Sequence, residues 1–257
     1  MLELNQPEPV SALRVDPSVL AVFSDFDGVI ADIAERPDAV FVPGDRARTL
    51  EAWRDASGGA MALVSGREID DLRRAFDWRG AISGGHGAET EWTRGERENQ
   101  EVDVEAVSEV SKRMEEFAAG EEGVLFEHKR LGAVLHYRAD PSKEDACWSM
   151  VRQAVADRDE LEIQASKMAV ELKPAGFSKG SVISAFMERE PFAGRKPIYF
   201  GDDVTDEAAF REVNARGGLS VKVGEGDTAA QYRVASPNEL FAWMKEQVVN
   251  RNGSAQR

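Results

Sequence analysis

The sequence predicts an α/β protein: a Rossmann-like core around an open parallel sheet, interrupted by a smaller inserted α+β unit. Three observations carry this. Short apolar runs alternate with stretches of helical periodicity, the βα rhythm of a parallel sheet. The runs end in Gly- or Asp-rich loops, where such sheets place their functional groups. Between about residues 101 and 174 the rhythm changes to helix, two strands, helix, two strands, and then the first rhythm returns.

Taken in order, residues 1–18 are polar, carry three prolines and read as a loose arm. Ala21–Ser24 is a short buried strand entering Asp25-Phe26-Asp27-Gly28. Ala47, Leu50 and Trp53 lie at helical spacing within Arg46–Asp55. Ala60–Val64 is a second strand, ending in Ser65-Gly66-Arg67 and followed by a helix to about Phe76. A third run starts at Ala81–Ile82 and ends in SGGHGAE. In the inserted unit, Val104, Val107, Val110, Met114 and Phe117 mark a helix. Val124–Lys129 and Gly132–Arg138 read as paired strands, Ala146–Val155 as a helix, and Leu161–Gln164 and Lys167–Lys173 as two more strands. Ser178–Met187 is a helix with Ser178 as cap. Pro197–Phe200 is a strand ending in GDDVTDE, Leu219–Val223 another, and Asn238–Val249 a closing helix. The expected organisation is a core of residues 1–100 and 175–257 and an inserted domain of 101–174, with the first and last thirds sharing one sheet.

The chain has 257 residues, and 32 Lys+Arg against 47 Asp+Glu give a net charge of −15. That balance argues against nucleic acid or an anionic membrane as the main partner, while leaving room for a locally positive phosphate site. Cys147 is the only cysteine, so no intrachain disulfide can form. The histidines, His86, His128 and His136, show no paired zinc spacing. The N-terminus lacks the pattern of a secretory signal, and no stretch is long and apolar enough to span a membrane. A soluble, cytoplasmic protein acting as a monomer is the expectation.

Four places carry candidate chemistry. In D-F-D-G, two carboxylates two residues apart can divide labour, Asp25 as nucleophile or metal ligand and Asp27 as acid/base; the same pattern also suits an Asp-rich turn or a helix cap. Ser65 follows a strand and suits either a helix cap or a phosphate-oxygen contact. Lys179 stands near a helix N-terminus, where a cation is disfavoured unless an anion lies nearby; otherwise it is a solvated surface lysine. Asp202, Asp203 and Asp206, with Glu207, repel one another unless a cation joins them, and hard oxygen ligands point to Mg²⁺. Some of these acids can serve only as helix caps.

D-x-D-G, Ser, Lys and an acidic GDD loop, in that order on an α/β scaffold, resemble the haloacid dehalogenase superfamily of phosphotransferases. LVSGR, SGGHGAE, LHYR, VELKPAGFSKG and YFGDDVTDE together resemble the trehalose-6-phosphate phosphatases, from about Val22 to Leu240. The resemblance implies a Mg²⁺-dependent phosphatase with a larger, C2-type cap, acting on a small sugar phosphate through an aspartyl-phosphate intermediate. It implies Asp25 as nucleophile, Asp27 as acid/base, and Ser65 and Lys179 as phosphoryl holders. Asp25, the Asp27 carbonyl and Asp202 become metal ligands, with Asp203 and Asp206 behind them. Gly66, Arg67 and His86 become substrate contacts. The segment FEHKRLGAVLHYR is only loosely like the family's cap.

The cap strands alternate in a way that can be read directly. Glu127, Lys129, His136, Arg138, Glu171 and Lys173 fall on one face, and the other face packs on the two helices. The charged face is either an ordinary solvated sheet surface or a platform for sugar hydroxyls, which need both donors and acceptors; the resemblance favours the platform. A phosphatase for another sugar phosphate (sucrose or mannosyl-glycerate phosphate), a phosphosugar mutase, and a non-catalytic sugar-phosphate sensor are the competing readings. Intact Asp25, Asp27, Lys179 and Asp202 argue against the sensor.

Overall fold

The computed structural model describes residues 6–33, 40–166 and 168–254. The chain divides into two compact units, Met1–Glu98 with Ser178–Arg257, and Asn99–Phe177. In chain order the strands and helices are β1 (Glu8–Pro9), β2 (Leu20–Ser24), α1 (Gly44–Ala56), β3 (Met61–Val64), α2 (Ile69–Ala75), β4 (Ala81–Gly84), β5 (Glu89–Glu91) and β6 (Arg97–Asn99). There follow α3 (Val104–Gly120), β7 (Leu125–Lys129), β8 (Gly132–His136), α4 (Glu144–Ala154), β9 (Leu161–Ser166) and β10 (Ala169–Pro174). The last are α5 (Lys179–Met187), β11 (Lys196–Gly201), α6 (Glu207–Ala215), β12 (Leu219–Val223), β13 (Tyr232–Val234) and α7 (Pro237–Ser254).

The first unit is built on a sheet of order β1-β13-β12-β11-β2-β3-β4-β5-β6. From β1 to β4 every pairing is parallel, and β5 runs antiparallel to β4. Strand β2 is apolar from Leu20 to Phe23 because both of its faces are covered. Leu20 and Val22 face a core that includes Leu50 and Trp53 of α1, Ile69 and Leu72 of α2, and Phe241 and Trp243 of α7. Ala21 and Phe23 face a second core with Ile183 and Phe186 of α5 and Phe210 of α6. As expected from the sequence, the first and last thirds share this sheet: β11 lies directly beside β2, with Ile198 opposite Val22.

The second unit is a four-stranded antiparallel sheet of order β7-β8-β10-β9 backed by α3 and α4. Val107, Val110 and Met114 of α3 and Cys147 and Val151 of α4 pack with Ala133, Leu135, Val170 and Leu172 on one sheet face. This alternation is the one the sequence predicts.

Two expectations are corrected. The loose arm is docked from Glu8 onward. Glu8 and Pro9 pair with β13, Val10 and Leu13 join the core, and the Trp243 indole donates to the Leu13 carbonyl at 3.1 Å. The prolines are compatible with an edge strand and with the short 3₁₀ turns Val10–Ala12 and Pro17–Val19, and the arm's few apolar residues are enough to seat it. Arg138, expected on the β8 face, lies beyond the end of the strand in a turn and is exposed. The Asp140 N–H donates to the Tyr137 carbonyl at 3.1 Å and turns the chain there. Lys167, expected to open the last cap strand, lies outside the described residues, as do residues 1–5 of the arm.

Candidate active site

The carboxyl ends of β2, β3 and β11 and the start of α5 bring the principal residues together within the first unit. Asp25 is fixed where β2 ends: its N–H donates to the Phe200 carbonyl of β11 at 2.8 Å, and its carbonyl accepts from Ser24 Oγ at 2.8 Å. The chain then turns through Gly28, whose φ is +72°. A Cβ on Gly28 would collide with the Asp202 carboxylate, so the glycine lets the two acidic loops close on each other.

Lys179 is the first residue of α5, behind a capping box formed by Ser178 and Ser181. It is not a surface lysine, since only 3% of the residue is exposed. Its Nζ stands 2.9 Å from Asp25 Oδ2 and 2.6 Å from Asp206 Oδ1. These carboxylates are the anions that offset the unfavourable helix-dipole position. Burial works against the ammonium, but Asp206 and Asp25 outweigh it and leave its pKa raised. Burial pushes the Asp25 carboxyl well above its usual range; Lys179 opposes this, and Asp206, Asp202 and Asp27 add to it. Asp202 is pushed up to about 7, first by burial and then by Asp206.

Asp25, Asp202 and Asp206 each offer an oxygen within 4.8 Å of the others. Asp206 is nonetheless the wrong choice as a ligand, because both its oxygens are already committed. Oδ1 accepts from Lys179 and from the Tyr199 hydroxyl at 2.5 Å; Oδ2 accepts from the Asp202 and Asp203 N–H groups at 2.8 and 2.9 Å. Asp203 Oδ1 accepts from the Val204 N–H at 2.7 Å and caps the turn that leads into α6. Asp25 and Asp202 remain as side-chain oxygens brought close without enough cations to neutralise them. Their crowding and raised pKa values are what a hard divalent cation would relieve, so the donor set fits Mg²⁺.

Ser65 follows β3 and is buried. Its Oγ accepts from the Arg67 N–H at 3.1 Å. It does not cap α2, whose N-cap is Glu68; its hydroxyl shapes the loop instead. His86 sits in left-handed backbone, φ 58°, and its ring covers Gly66, where a Cβ would come within 2.6 Å of it. Arg67 was expected on the substrate. Here its guanidinium makes a fork with Asp27, Nε to Oδ2 at 2.6 Å and Nη2 to Oδ1 at 2.8 Å.

In the second unit, Glu127, Lys129, His136, Glu171 and Lys173 share the sheet face turned away from the helices. Lys129 Nζ donates to Glu171 Oε1 at 2.5 Å, and His136 Nε2 lies 2.7 Å from Glu127 Oε2. That bond holds the Glu127 carboxyl below its usual pKa against the effect of burial. Lys173 pairs with Glu162, which the sequence reading did not single out.

Three further residues of the first unit escaped that reading. Tyr199 holds Asp206. Lys222, buried in β12, donates to the Asp202 carbonyl. Glu89 of β5, almost fully buried, accepts from the Ile69 N–H at 2.8 Å and steadies the loop that carries Ser65 and Arg67. A lysine inside the apolar LSVKV strand is a signal that could have been caught. Tyr199 and Glu89 fall within the YFGDDVTDE and SGGHGAE motifs, which is the signal that could have singled them out.

A Rossmann-like sheet with Asp25, Asp27 and Asp202 at its strand ends, beside Lys179 at the start of α5, places the chain in the fold class of a haloacid dehalogenase-like hydrolase from Bacteroides thetaiotaomicron, matched with a TM-score of 0.63 at 15% identity over 88% of this chain and 98% of that one. Within that class the chain belongs to the trehalose-phosphatase family, whose model matches residues 23–238. The chain is 36% identical over 241 residues to the trehalose-6-phosphate phosphatase of Escherichia coli (strain K12), covering 93% of this chain and 90% of that one. It is 38% identical over 217 residues to a probable trehalose-phosphate phosphatase of Sinorhizobium fredii, covering 84% and 82%. The fold matches the C-terminal domain of the C. albicans trehalose-6-phosphate phosphatase with a TM-score of 0.80 at 19% identity, covering 95% of this chain and 99% of that one.

Proposed function

We propose that the chain hydrolyses trehalose 6-phosphate to trehalose and phosphate at Asp25, with Mg²⁺ held by Asp25, the Asp27 carbonyl and Asp202. The observation that carries this reading is the Asp25–Lys179–Asp206 constellation beside Asp202, in a chain matched by the family model over residues 23–238. Bound Mg²⁺ supplies charge neutralisation between a carboxylate nucleophile and a phosphate dianion that would otherwise repel.

The chain's own residues do the rest. An Asp25 carboxylate oxygen forms a bond to phosphorus as the ester P–O bond on the far side breaks. Asp27 gives its proton to the departing sugar oxygen. In the second half, Asp27 takes a proton from water, and the resulting oxygen attacks phosphorus, breaks the bond to Asp25 and releases phosphate. Lys179 and Ser65 bear on the phosphoryl oxygens, so positioning and electrostatics carry most of the rate. Arg67 occupies both Asp27 oxygens; it has to exchange that fork for another partner before Asp27 can serve the sugar oxygen. The charged face of the second unit binds the sugar hydroxyls in this reading.

Phosphate release from a panel of sugar phosphates, with and without Mg²⁺, tests it. Trehalose 6-phosphate should lead sucrose 6-phosphate, mannosyl-glycerate phosphate and glucose 6-phosphate in kcat/KM. Isomerised sugar without phosphate release would replace hydrolysis by a mutase reaction, and a better substrate in the panel would replace the disaccharide.

A further inference from the structure

On the charged face of the second unit the side chains form rows across the strands, because residues directly opposite one another in an antiparallel pair share a face. One row runs Glu127, Val134, Glu171, Gln164, from β7 through β8 and β10 to β9. Glu127 in this row is bonded to His136 and Glu171 to Lys129, and Lys173 nearby to Glu162. Gln164 is different. Its Nε2 is shielded from solvent and has no hydrogen-bond partner among the described residues. A buried donor left unmade costs free energy, and each such group in a native fold calls for an explanation. The other shielded polar atoms without a partner, on Trp92 and Ser111, do not lie on this face.

We infer that the Gln164 amide is a specificity-determining contact of this chain: the side chain, only partly buried on this face, turns its unsatisfied Nε2 outward when the disaccharide phosphate arrives and donates to a sugar hydroxyl. The inference rests on the functional reading above. The chemistry suits it. A primary amide offers two donors and an acceptor in one plane, and a hydroxyl can answer either role. Glu171, directly opposite, supplies a neighbouring acceptor, so donor and acceptor stand side by side for a pair of adjacent hydroxyls. A fold that keeps such a group trades stability for binding, as functional sites do.

That trade gives a test that a structural role would fail. Gln164→Met keeps the length and removes the amide. In the Mg²⁺-loaded enzyme it should lower kcat/KM for trehalose 6-phosphate by about 3- to 10-fold, the range for one neutral hydrogen bond, with most of the change in KM. The loss on p-nitrophenyl phosphate, which carries no sugar, should be at least about three times smaller. The melting temperature should hold or rise, since an unsatisfied donor has been removed. Gln164→Ala should show the same ordering of the two substrates and keeps the test open if the methionine variant folds poorly. Equal losses on both esters, or a lowered melting temperature with unchanged KM, would assign Gln164 to the fold and overturn the inference. A wild-type enzyme that splits the aryl ester but releases no phosphate from trehalose 6-phosphate would overturn the functional reading itself, and the inference with it.

Discussion

Asp206 shows how much of a site can hang on one carboxylate through hydrogen bonds alone. Its four hydrogen bonds tie together Lys179, Tyr199 and the backbone of the Asp202 loop. Asp206→Asn must turn an NH₂ either toward the ammonium or toward the two N–H donors. Breaking a buried pair of this kind costs ~3–5 kcal/mol, and urea denaturation should show a loss of that size together with lost activity. Tyr199→Phe should be milder, ~1.5–3 kcal/mol for a hydrogen bond to a charged acceptor, with lowered kcat as Lys179 loosens. Asp25→Asn separates chemistry from stability. An amide cannot attack phosphorus, so turnover should fall below roughly a hundredth of wild type once deamidation is excluded. The melting temperature should not fall, because burial and its acidic neighbours already disfavour the ionised Asp25. Activity surviving that change would remove Asp25 as nucleophile.

At the scale of elements, the site depends on loops held at the ends of rigid strands. Gly28→Ala puts a methyl group into the Asp202 carboxylate and forces a left-handed φ on alanine. Mg²⁺ affinity, read by titrating activity with the metal, should weaken by at least about tenfold, since coordination tolerates little displacement of its oxygens. A titration curve that overlays wild type would show that the two loops can part without consequence for the metal. Strands β2, β3, β11 and β12 are legible in the sequence because they are covered on both faces and so read as apolar runs. Strand β5 is not. It spells Glu-Thr-Glu, and its buried acids find partners elsewhere in the chain, Glu89 on the Ile69 N–H and Glu91 on Arg73; no local pattern announces that. Strand β13 and the docked N-terminal arm are short, and their stability comes from neighbours distant in sequence. The site follows the same division. Asp25, Asp27, Lys179 and Asp202 are legible because each sits in a loop or helix start next to an apolar strand or turn. By periodicity alone, Tyr199 and Gln164 look like ordinary strand residues until their partners, or the lack of one, are seen.

For the whole molecule, charge crowding couples stability to pH and metal. In chelated protein, Asp202 titrates at about 7, against 3.8 for an unperturbed side chain, and Asp25 is shifted the same way. Between these limits the folded state holds protons that the unfolded chain has released. Stability therefore falls as pH rises from about 4 through about 7. The expected size is ~2–4 kcal/mol from Asp202, and the net charge of −15 adds repulsion of the same sign. Melting temperature in excess chelator should drop between pH 5 and pH 7.5, and saturating Mg²⁺ should remove most of that drop, as a ligand of the folded state does. A melting temperature that rises over this interval in chelator would mean the acidic groups are not crowded as described.

The position of β11 beside β2 has a consequence for how the protein is made. Asp25 stands at the end of β2 and Asp202 just past the end of β11, so the halves of the site leave a ribosome far apart in time. Strands β2 to β5 emerge first and must wait, with one edge of β2 unpaired, while the whole of Asn99–Phe177 is synthesised. At ~5–20 residues per second that wait is on the order of four to sixteen seconds. The inserted unit pairs only among its own strands and can close as soon as β10 is out. A released chain truncated before Lys196 should thus resist protease within Asn99–Phe177 and be cut within the segment before it. An unpaired edge in an apolar strand is also a template for wrong pairing, which makes those seconds the interval in which chaperone contact matters most to this chain.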